Sequence, residues 1–243
     1  PSRSLFHLLV SSEPLHGHLP SPGVLLLLVL ARLLRPRRIV MAHWHCFLET
    51  KPCKNGRLLG FYQWCALRIL PSLFAVVTTS PALSVELQHC GFSPAHVVVL
   101  PCCLGATQEQ SALAVPLPMS EEGEPMRVLF VGRLDSYKRL DWLLTSLAAI
   151  RSPWRLSVVG DGPNRSRFQY LAQQLFFRQL QEEPELVQFH GRLPESAKQE
   201  QIARSDVLVL PSDRSNEAFG IVQLEAMAAG RIALAFDQPR SGM

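Results

Sequence analysis

The chain has 243 residues, enough for one large domain or two small ones. Its content of 47% hydrophobic and 18% charged residues describes a globular protein with a real core and excludes a disordered one. A net charge of +4 suits an anionic small molecule or an anionic membrane surface and falls short of a nucleic-acid footprint, so no nucleic-acid partner is expected.

The chain opens with a short apolar segment, Leu5 to Val10, followed by Leu15-His-Gly-His-Leu-Pro-Ser-Pro22, where prolines after the histidines predict a loop. Val24 to Leu34 is the greasiest run. Arg32 interrupts it, Pro36 follows, and it is shorter than the ~20 residues a membrane span needs, so it reads as a buried core helix. It also lacks the flanks and cleavage site of a signal peptide. A basic turn, Arg35 to Arg38, leads to a strand from Ile39 to Ala42, with His43-Trp44-His45 at its end. A helix from about Leu58 to Leu70, a strand from Phe74 to Thr78, a helix opened by Ser80-Pro81 and a short strand from Val97 to Leu100 complete this half. Residues 116 to 125 lose hydrophobic periodicity and read as an interdomain linker.

Beyond the linker the alternation is regular. Strand Arg127–Val131 precedes helix Leu140–Ile150, and strand Leu156–Val159 precedes helix Arg165–Phe177. Strand Leu186–Phe189 precedes helix Ser196–Arg204, and strand Val207–Leu210 precedes helix Phe219–Ala229 and a last strand, Ile232 to Ala235. Short apolar strands alternating with helices predict a parallel sheet covered on both faces. The six cysteines (Cys46, Cys53, Cys65, Cys90, Cys102, Cys103) contain no Cys-x-x-Cys pair and read as reduced, intracellular thiols. His43-Trp-His45-Cys46 with Cys53 has ligand-type residues but no standard zinc spacing, so no metal site is expected.

The densest chemistry lies after strand Val207–Leu210. Glu217 is placed at the start of the following helix and Glu225 well inside it, on the face that should be buried. A buried carboxylate is costly unless paired. One reading makes Glu217 a helix-start residue and Glu225 half of a buried ion pair. The other makes the strand-turn-helix a phosphate site, with two carboxylates beside it for sugar hydroxyls. In Gly132-Arg-Leu-Asp-Ser-Tyr-Lys-Arg139, after the first strand of this half, Arg133 and Lys138 would clamp a diphosphate unless they are simply solvated.

Glu217-Ala-Phe-Gly-Ile-Val-Gln-Leu-Glu-Ala-Met-Ala-Ala-Gly230, with its Glu-x7-Glu spacing, closely resembles the donor-site helix of family 4 glycosyltransferases of GT-B fold. Gly132-Arg-Leu with Lys138, Gly160-Asp-Gly-Pro163 and Phe189-His-Gly-Arg-Leu193 resemble further segments of that family, and His16-Gly-His-Leu-Pro and Ala42-His-Trp-His45 do so more weakly. The resemblance implies an α/β protein of two Rossmann-like parallel-sheet domains. These are a partial acceptor-side domain over residues 1–115, a linker over 116–125, and a donor-binding domain over 126–243. The first is expected to be incomplete at its N-terminus and the second at its C-terminus, because the family begins with a further strand and glycine-rich loop and continues past the last strand here. Val99-Leu-Pro-Cys-Cys-Leu-Gly105 also departs from the family's turn into the linker.

By residue, the resemblance implies that Gly132, Arg133, Lys138, Phe219 and Gly220 hold the donor diphosphate, Glu225 the ribose and Arg192 the nucleobase side. Glu217 would hold the sugar hydroxyls, His45 would touch the transferred sugar, and both would serve catalysis, while His18 lines the acceptor side. The activity implied is a retaining transfer of a hexose, mannose by the look of the His-x-His-x-Pro and Trp-His segments, from a nucleotide-sugar co-substrate to a glycan or lipid-linked acceptor. It needs no metal or other cofactor, and it places the protein in the cytoplasm at the inner face of the membrane. Three rivals remain: a fragment that binds nucleotide without turnover, a nucleotide-sugar epimerase of the same fold, and a non-catalytic partner using its apolar first-half helices.

Overall fold

The computed structural model describes residues 3–49, 56–114, 123–215, 217–238 and 240–242. The chain forms two compact units: Pro1–Cys102 with Arg214–Phe219 and Asp237–Met243, and Cys103–Asp213 with Gly220–Phe236. Each is built on a wholly parallel sheet, one of four strands and one of five, so the parallel α/β arrangement expected from the alternation, and the two Rossmann-like domains implied by the resemblance, are what the chain adopts.

In the first unit the elements run α1 (Arg3–Val10), β1 (Leu15–Leu19), α2 (Pro22–Leu34), β2 (Val40–Trp44), α3 (Gly56–Ile69), β3 (Ala75–Thr78), α4 (Pro81–His89) and β4 (Val97–Val99), with strand order β1-β2-β3-β4. The segment expected as a loop after residue 15 is strand β1. Leu15, Gly17 and Leu19 are buried and alternate with exposed His16 and His18, while the prolines fall just past the strand, where a missing N–H breaks no ladder bond. Gly17 lets α2 close on this strand, since a Cβ there would lie 2.7 Å from Val24 Cγ1. The greasy run is indeed a core helix, burying Leu25, Leu28 and Ala31. Buried Arg38 ties the entry to β1 against α1, donating from Nε to the Glu13 carbonyl and from Nη1 to the Leu8 carbonyl, both at 2.6 Å. Ser80 caps α4 as its sequence suggests, its hydroxyl accepting from Leu83 N–H.

The second unit runs α5 (Ala106–Ala114), β5 (Met126–Val131), α6 (Leu140–Leu147), β6 (Trp154–Val159), α7 (Arg165–Glu182), β7 (Val187–Gly191), α8 (Glu195–Arg204), β8 (Val207–Leu210), α9 (Val222–Ala228) and β9 (Ile232–Ala235). Its strand order is β7-β6-β5-β8-β9. The chain winds outward from β5 in one direction, then returns to β8 on the other side, which creates a switch point between the carboxyl ends of β5 and β8. Helix α5, expected with the first domain, instead packs on α8 and α9 of this unit. Of the expected linker, residues 116–122 lie outside the described residues, as does Cys53.

The helix after β8 starts later than its sequence suggests. Gly220 takes a left-handed φ of +70°, which interrupts the helical run, and α9 begins at Val222. Glu217 therefore lies in an irregular approach segment rather than at the helix start, and Glu225 stands in the first turn rather than deep in the helix.

Candidate functional site

Beside the switch point of the second sheet, β5, β6 and β7 end in backbone-to-backbone contact. Gly132 follows β5 and donates its N–H to Val159 of β6, and Gly160 donates to Gly191 at the end of β7. Gly160 has a φ of +131°, and a Cβ on it would fall 1.9 Å from the Gly132 carbonyl oxygen, so no other residue fits. The loop beyond Gly132 presents Arg133, which is exposed and 3.6 Å from the Asp135 carboxylate. Lys138 is buried, its Cε 3.6 Å from where a Cβ on Gly132 would stand and its ammonium 5.4 Å from the Tyr137 ring centre. Arg139 adopts a left-handed φ of +51°, stacks its guanidinium 3.8 Å from the Trp142 ring centre, and pairs with Asp213 at 3.4 Å. Asp213 N–H also donates to the Tyr137 carbonyl, so the loop after β5 is fastened to the loop after β8.

Glu225 is 2% exposed. Its burial is as expected, and Lys198 of α8 partners it, with the ammonium 2.9 Å from both carboxylate oxygens. Beyond that ammonium, Oε2 has no hydrogen-bond partner among the described residues. The same ammonium lies 2.9 Å from Glu195, whose carboxyl is held below its usual range chiefly by that contact. Lys198 stays above its usual value because these carboxylates outweigh the cost of its burial. The sequence reading missed Lys198 and Glu195; their i,i+3 spacing on α8 was the available signal. Arg192 is exposed just beyond β7. His190 lies within β7, 3.4 Å from the Ser157 hydroxyl, with burial lowering its pKa.

The first unit gathers a different set. Parallel register pairs His18 of β1 with His43 of β2, so His43 stands within a strand and not after one. Period-2 alternation puts His16 beside His18 and His45 beside His43 on the same face. The four rings stack, with centroids 4.2 Å apart for His43 and His45 and 5.1 Å for His18 and His45. His18 Nδ1 and His45 Nε2 share a hydrogen bond of 2.7 Å. His43 is 7% exposed and is pushed down to about 4, by burial first and then by the neighbouring imidazoles. His45 and His16 are lowered for the same reasons.

Residues 214–219 belong to this unit. Ser215 donates its hydroxyl to the Phe47 carbonyl at 2.7 Å, and Gly242 N–H donates to the Ala218 carbonyl beside Phe219. Cys46 is pushed up to about 11 by burial and then by the Glu217 carboxylate, so Glu217 acts on the segment that carries His45. Elsewhere, a groove of about 800 Å³ runs over α7 and β7 past Phe177, Leu180 and Phe189. No ionisable side chain lines it, so a diphosphate has nothing to bind there.

The profile of a family described as glycosyl transferases group 1 matches residues 119–241. An exopolysaccharide phosphotransferase of Streptomyces coelicolor is 42% identical over 84 residues, which are 35% of this chain and 8% of that protein. A lipopolysaccharide 1,6-galactosyltransferase of Escherichia coli is 31% identical over 117 residues, 47% of this chain and 31% of that one. Among solved structures, Anabaena HepE in complex with UDP and glucose superposes with a TM-score of 0.65 at 18% identity, over 93% of this chain and 60% of that one. The chain thus spans less than a third of these curated relatives, and the structural likeness speaks to the GT-B fold. With the family profile covering more than half of the sequence, the chain belongs to the glycosyl transferases group 1.

Proposed function

We propose that the chain binds a nucleotide-diphosphate sugar and transfers its hexose, with retention, to a glycan or lipid-linked acceptor. The observation that carries this reading is the carboxyl-end face of the second sheet, where β5, β6 and β7 end in glycines and a fastened loop holds exposed Arg133 and buried Lys138 beside Gly132. There, Arg133 forks onto the diphosphate and Lys138 adds a point charge, with Gly132 and Gly220 permitting close backbone approach and Phe219 as a further diphosphate contact. Positive charge fixed in place stabilises the nucleoside diphosphate as it departs, so the transfer needs no metal. Glu225 Oε2, held by Lys198 and with no other hydrogen-bond partner among the described residues, is an acceptor for the ribose hydroxyls. Arg192 flanks the nucleobase, Glu217 and His45 meet the transferred sugar, and His18 faces the acceptor. The protein would act in the cytoplasm at a membrane face where lipid-linked acceptors are presented.

GDP-mannose is the donor suggested by the histidine segments, and the likeness to a UDP-bound neighbour adds UDP. Calorimetry with GDP, UDP and ADP distinguishes these. Binding of one nucleotide, weakened by both Arg133→Ala and Glu225→Gln, is expected. A folded chain that binds none of the three overturns the reading. Nucleotide binding without transfer to any acceptor would identify the binding-only alternative, and epimerised sugar released without acceptor would identify the epimerase.

A further inference from the structure

The imidazole cluster of the first unit has more coordinating capacity than the transfer reaction uses. His18, His43 and His45 each offer a ring nitrogen, and these atoms all lie within 4.8 Å of one another. The edge of a tetrahedron with the ~2.0–2.1 Å zinc–nitrogen bonds of protein sites is about 3.3 Å, so small side-chain rotations bring all three onto one ion. A second observation is independent of that spacing. His43 is 7% exposed, and its Nε2 is buried with no hydrogen-bond partner among the described residues. A buried polar atom without a partner calls for an explanation such as an absent ion.

We propose that His18, His43 and His45 form a binding site for a divalent transition-metal cation of the zinc class. Three imidazoles with one ring exposed to solvent make a three-ligand site with an open fourth position. Parallel pairing of β1 with β2 fixes the relative positions of His18 and His43, so two ligands sit on rigid strands and only His45 rides on the segment beyond. On binding, the His18–His45 hydrogen bond is exchanged for two metal–nitrogen bonds, and the proton it shared moves by way of solvent to the other nitrogen of the donor ring, so both imidazoles stay neutral. His16, stacked 5.1 Å from His18 and 5.5 Å from His43, lies next to the site without completing the set. The inference does not depend on the transfer reaction, since it concerns binding to the chain in the absence of any nucleotide.

The test is titration of the chelator-treated chain with Co²⁺ and Zn²⁺, followed by visible absorption of bound Co²⁺ and by competition with a chromophoric chelator. One Co²⁺ per chain is expected, with the visible bands of a four- or five-coordinate nitrogen site, displaced by Zn²⁺. Loss of a partner that merely orients a ligand costs about 10–100-fold, so His18→Ala and His45→Ala should weaken Zn²⁺ at least about 100-fold. His190→Ala should leave it unchanged. His18 is exposed, so its replacement tests the site even if His43→Ala does not fold. Absence of stoichiometric binding to the folded chain, or equal binding by His18→Ala and the unaltered chain, overturns the proposal.

Discussion

Both units gather their chemistry near the carboxyl ends of parallel strands, but they do so by opposite means. In the second sheet β5, β6 and β7 end in glycines, their backbones touch, and the charged groups stand on the loops beyond, at Arg133, Lys138 and Arg192. In the first sheet the groups stand on the strands themselves, as imidazoles brought face to face by the register of β1 against β2. The first arrangement makes a site of backbone shape and positive charge suited to an anion. The second makes a site of neutral ring nitrogens suited to a cation. On the two proposals, one architecture would serve two kinds of ligand, according to whether the side chains sit before or after the strand end.

The largest test of this contrast is Lys198→Met. It strands the carboxylate of Glu225, and removing one partner of a buried pair costs about 3–5 kcal/mol, measurable as a lower denaturant midpoint. A loss under about 1 kcal/mol would mean that solvent screens the pair and that Glu225 is not held by it. Gly160→Ala should cost about 2–3 kcal/mol through the left-handed φ and the overlap with the Gly132 carbonyl. A substitution tolerated there would break the claim that backbone contact shapes the second site. Arg133→Ala should weaken the bound nucleotide about 10–100-fold by calorimetry, the worth of a charge-assisted contact, while leaving thermal stability within about 0.5 kcal/mol. In chelator-treated protein, His43→Leu should be neutral or stabilising by about 1 kcal/mol, because it removes a buried nitrogen that has no partner. A clear destabilisation would show that the imidazole is already satisfied.

The smallest effect is in pH. Glu195 is held below its usual pKa mainly by Lys198, so its contribution is present above its unfolded value near 4.5. The contribution is lost as pH falls through the lower folded value. Lys198→Met should flatten that acid limb in a series of denaturation curves, and an unchanged limb would assign it to other carboxylates.

The same contrast explains what could be read from the sequence. Strands such as Val207–Leu210 carry continuous apolar runs, and Gly132-Arg-Leu and Glu217-x7-Glu225 are local patterns, so the second sheet and its groups are visible without coordinates. Burial of Glu225 followed from helical periodicity, but its partner did not, because Lys198 is 27 residues away on another helix. The helix start was misplaced because the left-handed turn at Gly220 depends on backbone conformation, which an apolar pattern does not record. In the first unit, β1 was read as a loop because its exposed face is histidine and its end is proline. Once that strand is missed, His18 and His43 have no reason to meet. Their neighbourhood is created by strand pairing between residues 25 positions apart, and no spacing within either segment encodes it.

The fastening of Arg139 to Asp213 and of Asp213 N–H to the Tyr137 carbonyl has a kinetic consequence. A nucleotide arriving at the switch point meets a rim whose two loops are already joined, so little chain entropy is left to be lost at capture. Association should then be limited by encounter and accelerated at low ionic strength, without a slow ordering phase, and differences between nucleotides should appear mainly in how fast each one leaves.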